Sequence, residues 1–383
     1  MEPDRDSRPC IIHLFEDQKV VERVLSNFET AFPSIKQKAI VVLNDVGQER
    51  YIINKKRFVF IEHGQLKPLL KELDPKNTLL ILIHYLTSNK VSALSFVPAG
   101  IKVGWTIYGG DLYNRYLRFL GYDVFYDKKN IQDSLLLFLR QSFLRPIKYV
   151  LKRRELSRVL KRISMTCAIE TDVYLLHKVF PKIHIVNHEF YAYSLEDTVG
   201  SLINSGFENK GSIMVGNSAS CSNNHLYVLH YLENLVNPKN KVFLQLAYSG
   251  NPDYRNRVKK EYSERLTCSI SFIENFVPLE EYNAFIKTVS FFFFGHWRQE
   301  ALGNLIVAFY IGGKVFLSNR NPLLAYFRDK GIKVFEIETV DESSLRELTV
   351  EEKQWNRDII YGLYNKSRAL DVLRNGIGSE LVY

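Results

Sequence analysis

The stretch from Ile213 to His225, Ile-Met-Val-Gly-Asn-Ser-Ala-Ser-Cys-Ser-Asn-Asn-His, holds residue types suited to gripping a phosphate. A short apolar run meets a Gly-Asn-Ser turn, and the polar loop ends at Ser222-Asn223 before a helical pattern of Leu226, Leu229, Leu232 and Leu235. A strand that stops at a helix N-terminus leaves backbone N–H groups without partners and a positive dipole end, and both favour an anion. Gly216 permits close approach of the backbone, while Asn217, Ser218 and Ser222 offer further hydrogen bonds. The same spacing also fits an ordinary capped turn with Ser222 or Asn223 as N-cap.

The elements around this loop alternate strand-like and helix-like patterns. Strands are expected at Cys10–Phe15, Ala39–Leu43, Arg57–Ile61, Leu79–Tyr85 and Ile101–Ile107, with helices at Val20–Phe32 and Leu66–Leu73. A Gly109-Gly110-Asp111 break precedes a long helical section to about Ile163, and short strands follow at Met165–Ile169 and His184–Asn187. The turn-rich segment Ser194–Asn209 suggests a boundary near residue 205. The pattern then restarts with strands at Ser212–Val215, Lys241–Leu246, Ile270–Phe272, Val289–Phe294 and Lys314–Leu317. Helices are expected at Asp253–Leu266, Leu279–Thr288, Arg298–Ile311 and after Glu351. Two such halves, 1–205 and 206–383, predict an α/β chain of two doubly wound, Rossmann-like domains with ligands in a central cleft.

Composition narrows the function. With 383 residues, 46% hydrophobic and 24% charged, the chain is long enough for two ordinary domains. Met1–Pro9 reads as a loose polar leader without a signal-peptide core. The longest apolar runs, Thr78–Leu86 and Val289–Phe294, are too short to span a bilayer. Four scattered cysteines and the histidine spacing give no metal or redox signature, and they suit a reducing cytoplasm. No G-x-G-x-x-G, Walker A or G-x-S-x-G motif is present, which disfavours a dehydrogenase, an ATPase or an α/β-hydrolase. No metal and no cofactor are expected.

The net charge of +9 points to an acidic partner. Arg145, Lys148, Lys152, Arg153, Arg154, Arg158, Lys161 and Arg162 are opposed only by Glu155. Leucine-rich and aromatic residues precede them, including Tyr113, Tyr116, Phe119, Tyr122, Phe125 and Tyr126. That combination suits an anionic membrane surface better than nucleic acid, for which no module is recognisable. A solvated basic helix face is the simpler alternative.

Three collinear segments resemble one family. Trp105-Thr-Ile-Tyr-Gly-Gly-Asp-Leu-Tyr113 is similar to the W-x-I-x-G-x-D-L-Y segment of the bacterial 4-acetamido-4,6-dideoxygalactosyltransferases, the 4-alpha-L-fucosyltransferase-like enzymes of enterobacterial common antigen synthesis. Val215-Gly-Asn-Ser, Ser222-Asn223 and His225 match its V-G-N-S-x-x-x-S-N-x-H segment. Arg298-Gln-Glu-Ala-Leu-Gly-Asn-Leu305 resembles its R-Q-Q-G-x-G-T-L loop, with Glu300, Ala301 and Asn304 in place of Gln, Gly and Thr, and Asn321-Pro322 also agrees. The resemblance implies an inverting, metal-independent glycosyltransferase of GT-B type. Its donor would be a dTDP-sugar and its acceptor a polyprenyl-diphosphate-linked glycan, at the cytoplasmic face of the inner membrane.

Such an enzyme must stabilise a departing diphosphate. Gly216, Asn217, Ser218 and Asn223 would line one helix N-terminus, and Arg298, Gln299, Gly303 and Asn304 a second. His225 would reach phosphate or sugar, or else serve as a structural histidine. Tyr248 corresponds to a family tyrosine and would lie near the base or simply pack its loop, and Glu300 would contact a sugar ring. Inversion also needs a general base for the acceptor hydroxyl. Asp111 and His84, the latter matching a family F-F-H-G histidine, are the candidates on the acceptor side. Helix N-cap and strand-end hydrogen bonding are their respective structural alternatives. A different donor, a soluble acceptor, or a nucleotide- or polyanion-binding protein without turnover remain open at this level.

Overall fold

The computed structural model describes residues 8–126, 135–189, 194–275 and 277–381, and within helix Leu135–Arg162 the side chains from Pro146 onward. Most of the expected leader, Met1–Ser7, and the side chain of Arg145 lie outside the described residues.

The chain forms two compact units. Unit 1 comprises Met1–Leu120, Lys148–Ser194 and Lys366–Tyr383, and unit 2 comprises Gly121–Ile147 and Leu195–Asn365. The chain therefore enters unit 2 after Leu120, returns to unit 1 at Lys148 and leaves it again after Ser194, a little before the expected boundary near 205, and its last segment belongs to unit 1.

Unit 1 holds seven parallel strands: β1 (Cys10–Phe15), β2 (Lys36–Leu43), β3 (Phe58–Glu62), β4 (Thr78–His84), β5 (Lys102–Thr106), β6 (Met165–Cys167) and β7 (Val186–Asn187). Their spatial order is β3-β2-β1-β4-β5-β6-β7. Unit 2 holds six parallel strands: β8 (Ser212–Val215), β9 (Lys241–Gln245), β10 (Ser269–Ile273), β11 (Val289–Phe294), β12 (Lys314–Leu317) and β13 (Phe335–Glu336). Their order is β10-β9-β8-β11-β12-β13. Helices cover both sheets, as the continuous apolar runs of the central strands require. All six residues of β11 are buried, and Phe293 stacks on Phe316 with ring centroids 4.4 Å apart. Each such enclosed phenylalanine contributes roughly 2 kcal/mol relative to exposure.

Several helices start where the sequence supplies a cap. The Asn251 and Asn321 side chains accept from Asp253 N and Leu323 N, each with a proline next in chain, and Thr349 forms a capping box with Glu352.

Two helix starts in unit 2 differ from expectation. The helix expected over Arg298–Ile311 runs only from Leu302 to Tyr310, because Ala301 adopts a left-handed conformation (φ 62°) and breaks the chain there. The loop after β8 closes with a 3₁₀ turn at Cys221–Asn223. The helix then begins at His225, with Asn224 (φ 50°) rather than Ser222 or Asn223 at the cap position.

In each sheet the strand order reverses once: between β1 and β4 in unit 1, and between β8 and β11 in unit 2. Ligands of open parallel sheets bind at the carboxyl ends of the strands flanking such a reversal.

Candidate functional site

At the reversal of unit 2, the loops after β8 and β11 bring together most of the predicted donor-site residues. Gly216 has φ 71°, and a Cβ there would stand 2.6 Å from His225 Nε2 and 2.8 Å from Asn223 Oδ1. Only glycine fits that combination of backbone and space. Asn223 Oδ1 accepts from the backbone N–H of Asn217 at 2.7 Å, and its Nδ2 donates to Ser218 Oγ at 3.0 Å. The motif thus braces itself, and the Asn217 N–H is spent inside the loop. His225 is fully enclosed, with Nδ1 3.0 Å from Tyr254 Oη, and burial lowers its pKa to about 3. Its ring is held neutral, and among the described residues its Nε2, facing Gly216, has no hydrogen-bond partner.

The loop after β11 is less satisfied. His296 Nδ1, Trp297 Nε1, Arg298 Nε and Gln299 Oε1 are buried polar atoms on consecutive residues, and none has a hydrogen-bond partner among the described residues. Native structures keep such atoms scarce, so four in succession ask for a missing partner. Arg298 donates to Gln299 O at 3.0 Å and to Ser222 Oγ at 3.4 Å, which ties the two loops together. Its guanidinium also lies 2.9 Å from Glu300 Oε2. Gly303 and Asn304 fall in the first turn of helix Leu302–Tyr310, and Asn304 Nδ2 donates to Tyr282 Oη at 3.3 Å. Tyr248 is half exposed on the loop after β9, and its carbonyl accepts from Ala219 N at 2.8 Å.

Sequence reasoning overlooked three contributors here. His296 Nε2 meets Asn217 Oδ1 at 3.1 Å, and burial lowers its pKa to about 4. Asn224 donates to Gly295 O and Val124 O and accepts from Tyr126 N, so it fastens segment 121–126 to this rim. Arg320 lies 3.7 Å above the Trp297 ring. The doublet Gly295-His296 at the end of an apolar strand was the available signal.

At the reversal of unit 1, His84 ends β4 and Asp111 follows Gly109-Gly110. The Asp111 carboxylate is fully buried and accepts from Leu86 N (3.0 Å), Trp105 Nε1 (2.8 Å) and Tyr108 N (3.1 Å). Burial pushes its pKa up, against the pull of these donors. Its lone pairs are directed at three fixed groups, an arrangement that positions the loop.

His84 sits in a directional chain. Gln37 Nε2 donates to Ile35 O, so Gln37 Oε1 faces His13 Nε2 at 2.9 Å. His13 Nδ1 lies 3.0 Å from His84 Nε2, and His84 Nδ1 lies 3.3 Å from Tyr108 Oη. Burial lowers the pKa of His13 to about 4 and that of His84 well below its ordinary value, so both rings are neutral. One tautomer set then satisfies the chain: His13 donates to Gln37, His84 donates to His13, and His84 Nδ1 keeps the lone pair.

The turn after His84 is strained, with Tyr85 at φ 62°. Lys90, fully buried, clamps it by donating to the carbonyls of His84 (2.8 Å) and Tyr85 (3.2 Å), with Glu16 at 2.9 Å balancing its charge. Neither His13 nor Lys90 stood out in the sequence.

The predicted basic residues share one helix but not one environment. Lys148, Arg154 and Arg158 are exposed. Lys152 pairs with Glu155 at 3.0 Å, and Arg153 stacks on Phe180. Tyr113 and Tyr116, expected beside a membrane-facing element, are fully buried core residues.

Comparison with known proteins agrees with this architecture. Among solved structures, a glycosyltransferase from Rickettsia africae superposes with a TM-score of 0.61 at 13% identity, over 98% of both chains. The Anabaena protein HepE, solved with UDP and glucose, gives 0.59 at 12% identity, over 97% of this chain and 100% of its own. Sucrose-phosphate synthase from Thermosynechococcus elongatus gives 0.63 at 11% identity, over 98% and 99%. These likenesses establish the GT-B fold of two Rossmann-like domains. The profile of the 4-alpha-L-fucosyltransferase family, glycosyl transferase group 56, matches residues 142–362, more than half of the chain. That match covers the self-braced loop at Gly216–Asn223 and the unsatisfied loop at His296–Glu300, and the chain belongs to glycosyl transferase group 56, the 4-alpha-L-fucosyltransferase family.

Proposed function

We propose that this glycosyltransferase moves 4-acetamido-4,6-dideoxygalactose, or a related fucose-like sugar, from a dTDP-sugar to a polyprenyl-diphosphate-linked glycan. The observation that carries the donor assignment is the run of unpartnered buried polar atoms from His296 to Gln299, at the carboxyl end of β11. Arg298 and the first N–H groups of helix Leu302–Tyr310 would hold the departing diphosphate.

Unit 1 is assigned the acceptor, with His84 as general base in preference to Asp111. His84 Nδ1 keeps a lone pair, and Tyr108 Oη marks the place an acceptor hydroxyl would take. The proton passes from the acceptor hydroxyl to Nδ1. The acceptor oxygen bonds to the anomeric carbon, and the bond to the diphosphate breaks with its electron pair on the nucleotide. His13 orients the ring and accepts from its other nitrogen, the part played by the third member of a catalytic triad.

Lys148, Lys152, Arg153, Arg154 and Arg158 would dock the enzyme on the anionic cytoplasmic face of the inner membrane, at about 1 kcal/mol for each basic residue near the surface. Among the described residues no helix is long and apolar enough to cross a membrane. HepE was solved with UDP-glucose, so UDP-sugars are the second donor class to examine. The test is mass spectrometry of lipid-linked acceptors incubated with a panel of dTDP-, UDP- and GDP-sugars. Saturable nucleotide binding without transfer from any donor would leave a binding protein and sink the proposal.

A further inference from the structure

A cavity of about 660 Å³ opens in unit 1 between helix residues Lys152–Arg162 and the segment Ser88–Ser95. Five cations line it, Arg115, Lys152, Arg158, Lys161 and Arg162, against one carboxylate, Glu155. We propose that this cavity is a discrete receptor for a phosphate or diphosphate group carried by a lipid.

The charge within it is not balanced internally. Glu155 accepts from Arg115, from Lys152 at 3.0 Å and from the Tyr116 hydroxyl at 3.0 Å, so one carboxylate serves two cations. Among the described residues Arg162 donates only to carbonyl oxygens, of Pro98 at 3.3 Å and Ile101 at 3.2 Å, which carry no net charge. Arg158 and Lys161 are exposed, and neither has a carboxylate partner among the described residues. Like charges gathered around a concavity raise the local potential, and an anion entering it relieves their repulsion.

The chemistry of the walls selects among anions. Guanidinium groups present forked donors that match the oxygens of phosphate, and Ser88 and Ser95 add hydroxyl donors. The volume lies within the range of about 300–1,000 Å³ usual for ligand cavities, so a headgroup larger than one phosphate fits. The source of the phosphate is indicated by the neighbours of the lining residues. Phe96, next to Ser95, is 40% exposed, and Leu151, next to Lys152, is 57% exposed. Exposed apolar side chains adjoining the lining residues in sequence suit a headgroup attached to hydrocarbon. The inference deepens the membrane-facing part of the proposed function and rests on that reading for the source of the phosphate, not for the receptor.

The test compares two charge-matched variants of the full-length protein. Arg158→Gln with Lys161→Gln removes two cavity cations. Lys148→Gln with Arg154→Gln removes two from the same helix outside the cavity. Binding is measured to phosphatidylcholine vesicles doped with phosphatidic acid, an exposed phosphomonoester, or with phosphatidylglycerol at equal surface charge. The receptor predicts tighter binding to phosphatidic acid than to phosphatidylglycerol, a preference reduced by about tenfold or more in the cavity variant and kept within about twofold in the other, whose loss of docking charge falls on both lipids alike. It also predicts that inorganic pyrophosphate displaces the wild type from phosphatidic acid vesicles better than sulfate at equal ionic strength. Equal binding to both lipids with equal losses in both variants would keep membrane docking and overturn the receptor. No vesicle binding by the wild type would overturn the lipid source and the membrane reading together. If calorimetry then showed no cavity-dependent pyrophosphate binding either, the receptor would fall as well.

Discussion

Arg298 Nη2 lies 2.9 Å from Glu300 Oε2, so the cation assigned to the departing diphosphate already has an anionic neighbour two residues away. A ligand diphosphate must share the guanidinium with this carboxylate. Arg298→Ala removes the cation and leaves Glu300 facing the diphosphate, and nucleoside diphosphate affinity should fall about 30- to 100-fold, roughly 2–3 kcal/mol. Glu300→Gln should instead tighten nucleoside diphosphate binding several-fold, and the double variant should recover part of the Arg298→Ala loss. Calorimetric titration of the four proteins checks this; additive effects would mean that the two residues do not act on the same ligand group.

Ala301 occupies a left-handed position (φ 62°) where the resembling family loop carries glycine. The Cβ pays a steric penalty there that glycine avoids. Ala301→Gly should raise stability by about 1 kcal/mol, and Ala301→Val should lower it by more than that, because branching is poorly tolerated at positive φ. Thermal unfolding of both variants provides the measurement, and a destabilised glycine variant would contradict the account.

How much of this could be read from the sequence depended on what each residue advertises. The central strands were legible because strands buried on both faces are unbroken apolar runs, as Val289–Phe294 is. The loops at Gly216 and Arg298 were legible through glycine and polar residues at strand ends. The start of the helix at Leu302 was not, since an alanine carries no mark of a left-handed backbone. The Lys90 clamp and the His13–His84 contact join residues 6 and 71 positions apart. Lys90 carries no local mark of its three oxygen partners, and His13 is a single polar residue within an apolar strand. The return of Lys366–Tyr383 to unit 1 is likewise a tertiary fact, with no local signal.

His84 and Asp111 should separate cleanly by kinetics. His84→Ala should lower kcat by about 100-fold or more, the usual scale for losing a general base, with nucleotide affinity unchanged. Asp111→Asn turns one acceptor atom into a donor against fixed N–H groups, so its main effect should be a stability loss of about 2–3 kcal/mol. His13→Gln should lower kcat by an intermediate factor and alter the acidic limb of the pH profile. A His84 variant with full turnover would move the base elsewhere.

The enclosed histidines also set a pH limit on stability. His13 and His296 are lowered to about 4 and His225 to about 3, so between those values and 6.5 the unfolded chain binds protons that the folded one does not. Stability is therefore complete above pH 6.5 and is lost as pH falls toward 4. For a single imidazole shifted as far as His13, the loss amounts to roughly 3 kcal/mol. Denaturant unfolding at stepped pH should show this decline, and His13→Gln should flatten it. A midpoint constant between pH 7 and 4.5 would contradict the burial of these rings.

The most direct test of the account is hydrogen–deuterium exchange with and without dTDP. The central claim is that a nucleotide diphosphate rests on the loops at Gly216–Asn223 and Arg298–Asn304. The amides at the start of helix Leu302–Tyr310 have no intrahelical acceptor, so they exchange freely until a ligand takes them. The account predicts that peptides covering 298–305 gain the greatest protection on saturation with dTDP, followed by those covering 216–225. Saturable dTDP binding with unchanged exchange in both segments would contradict it.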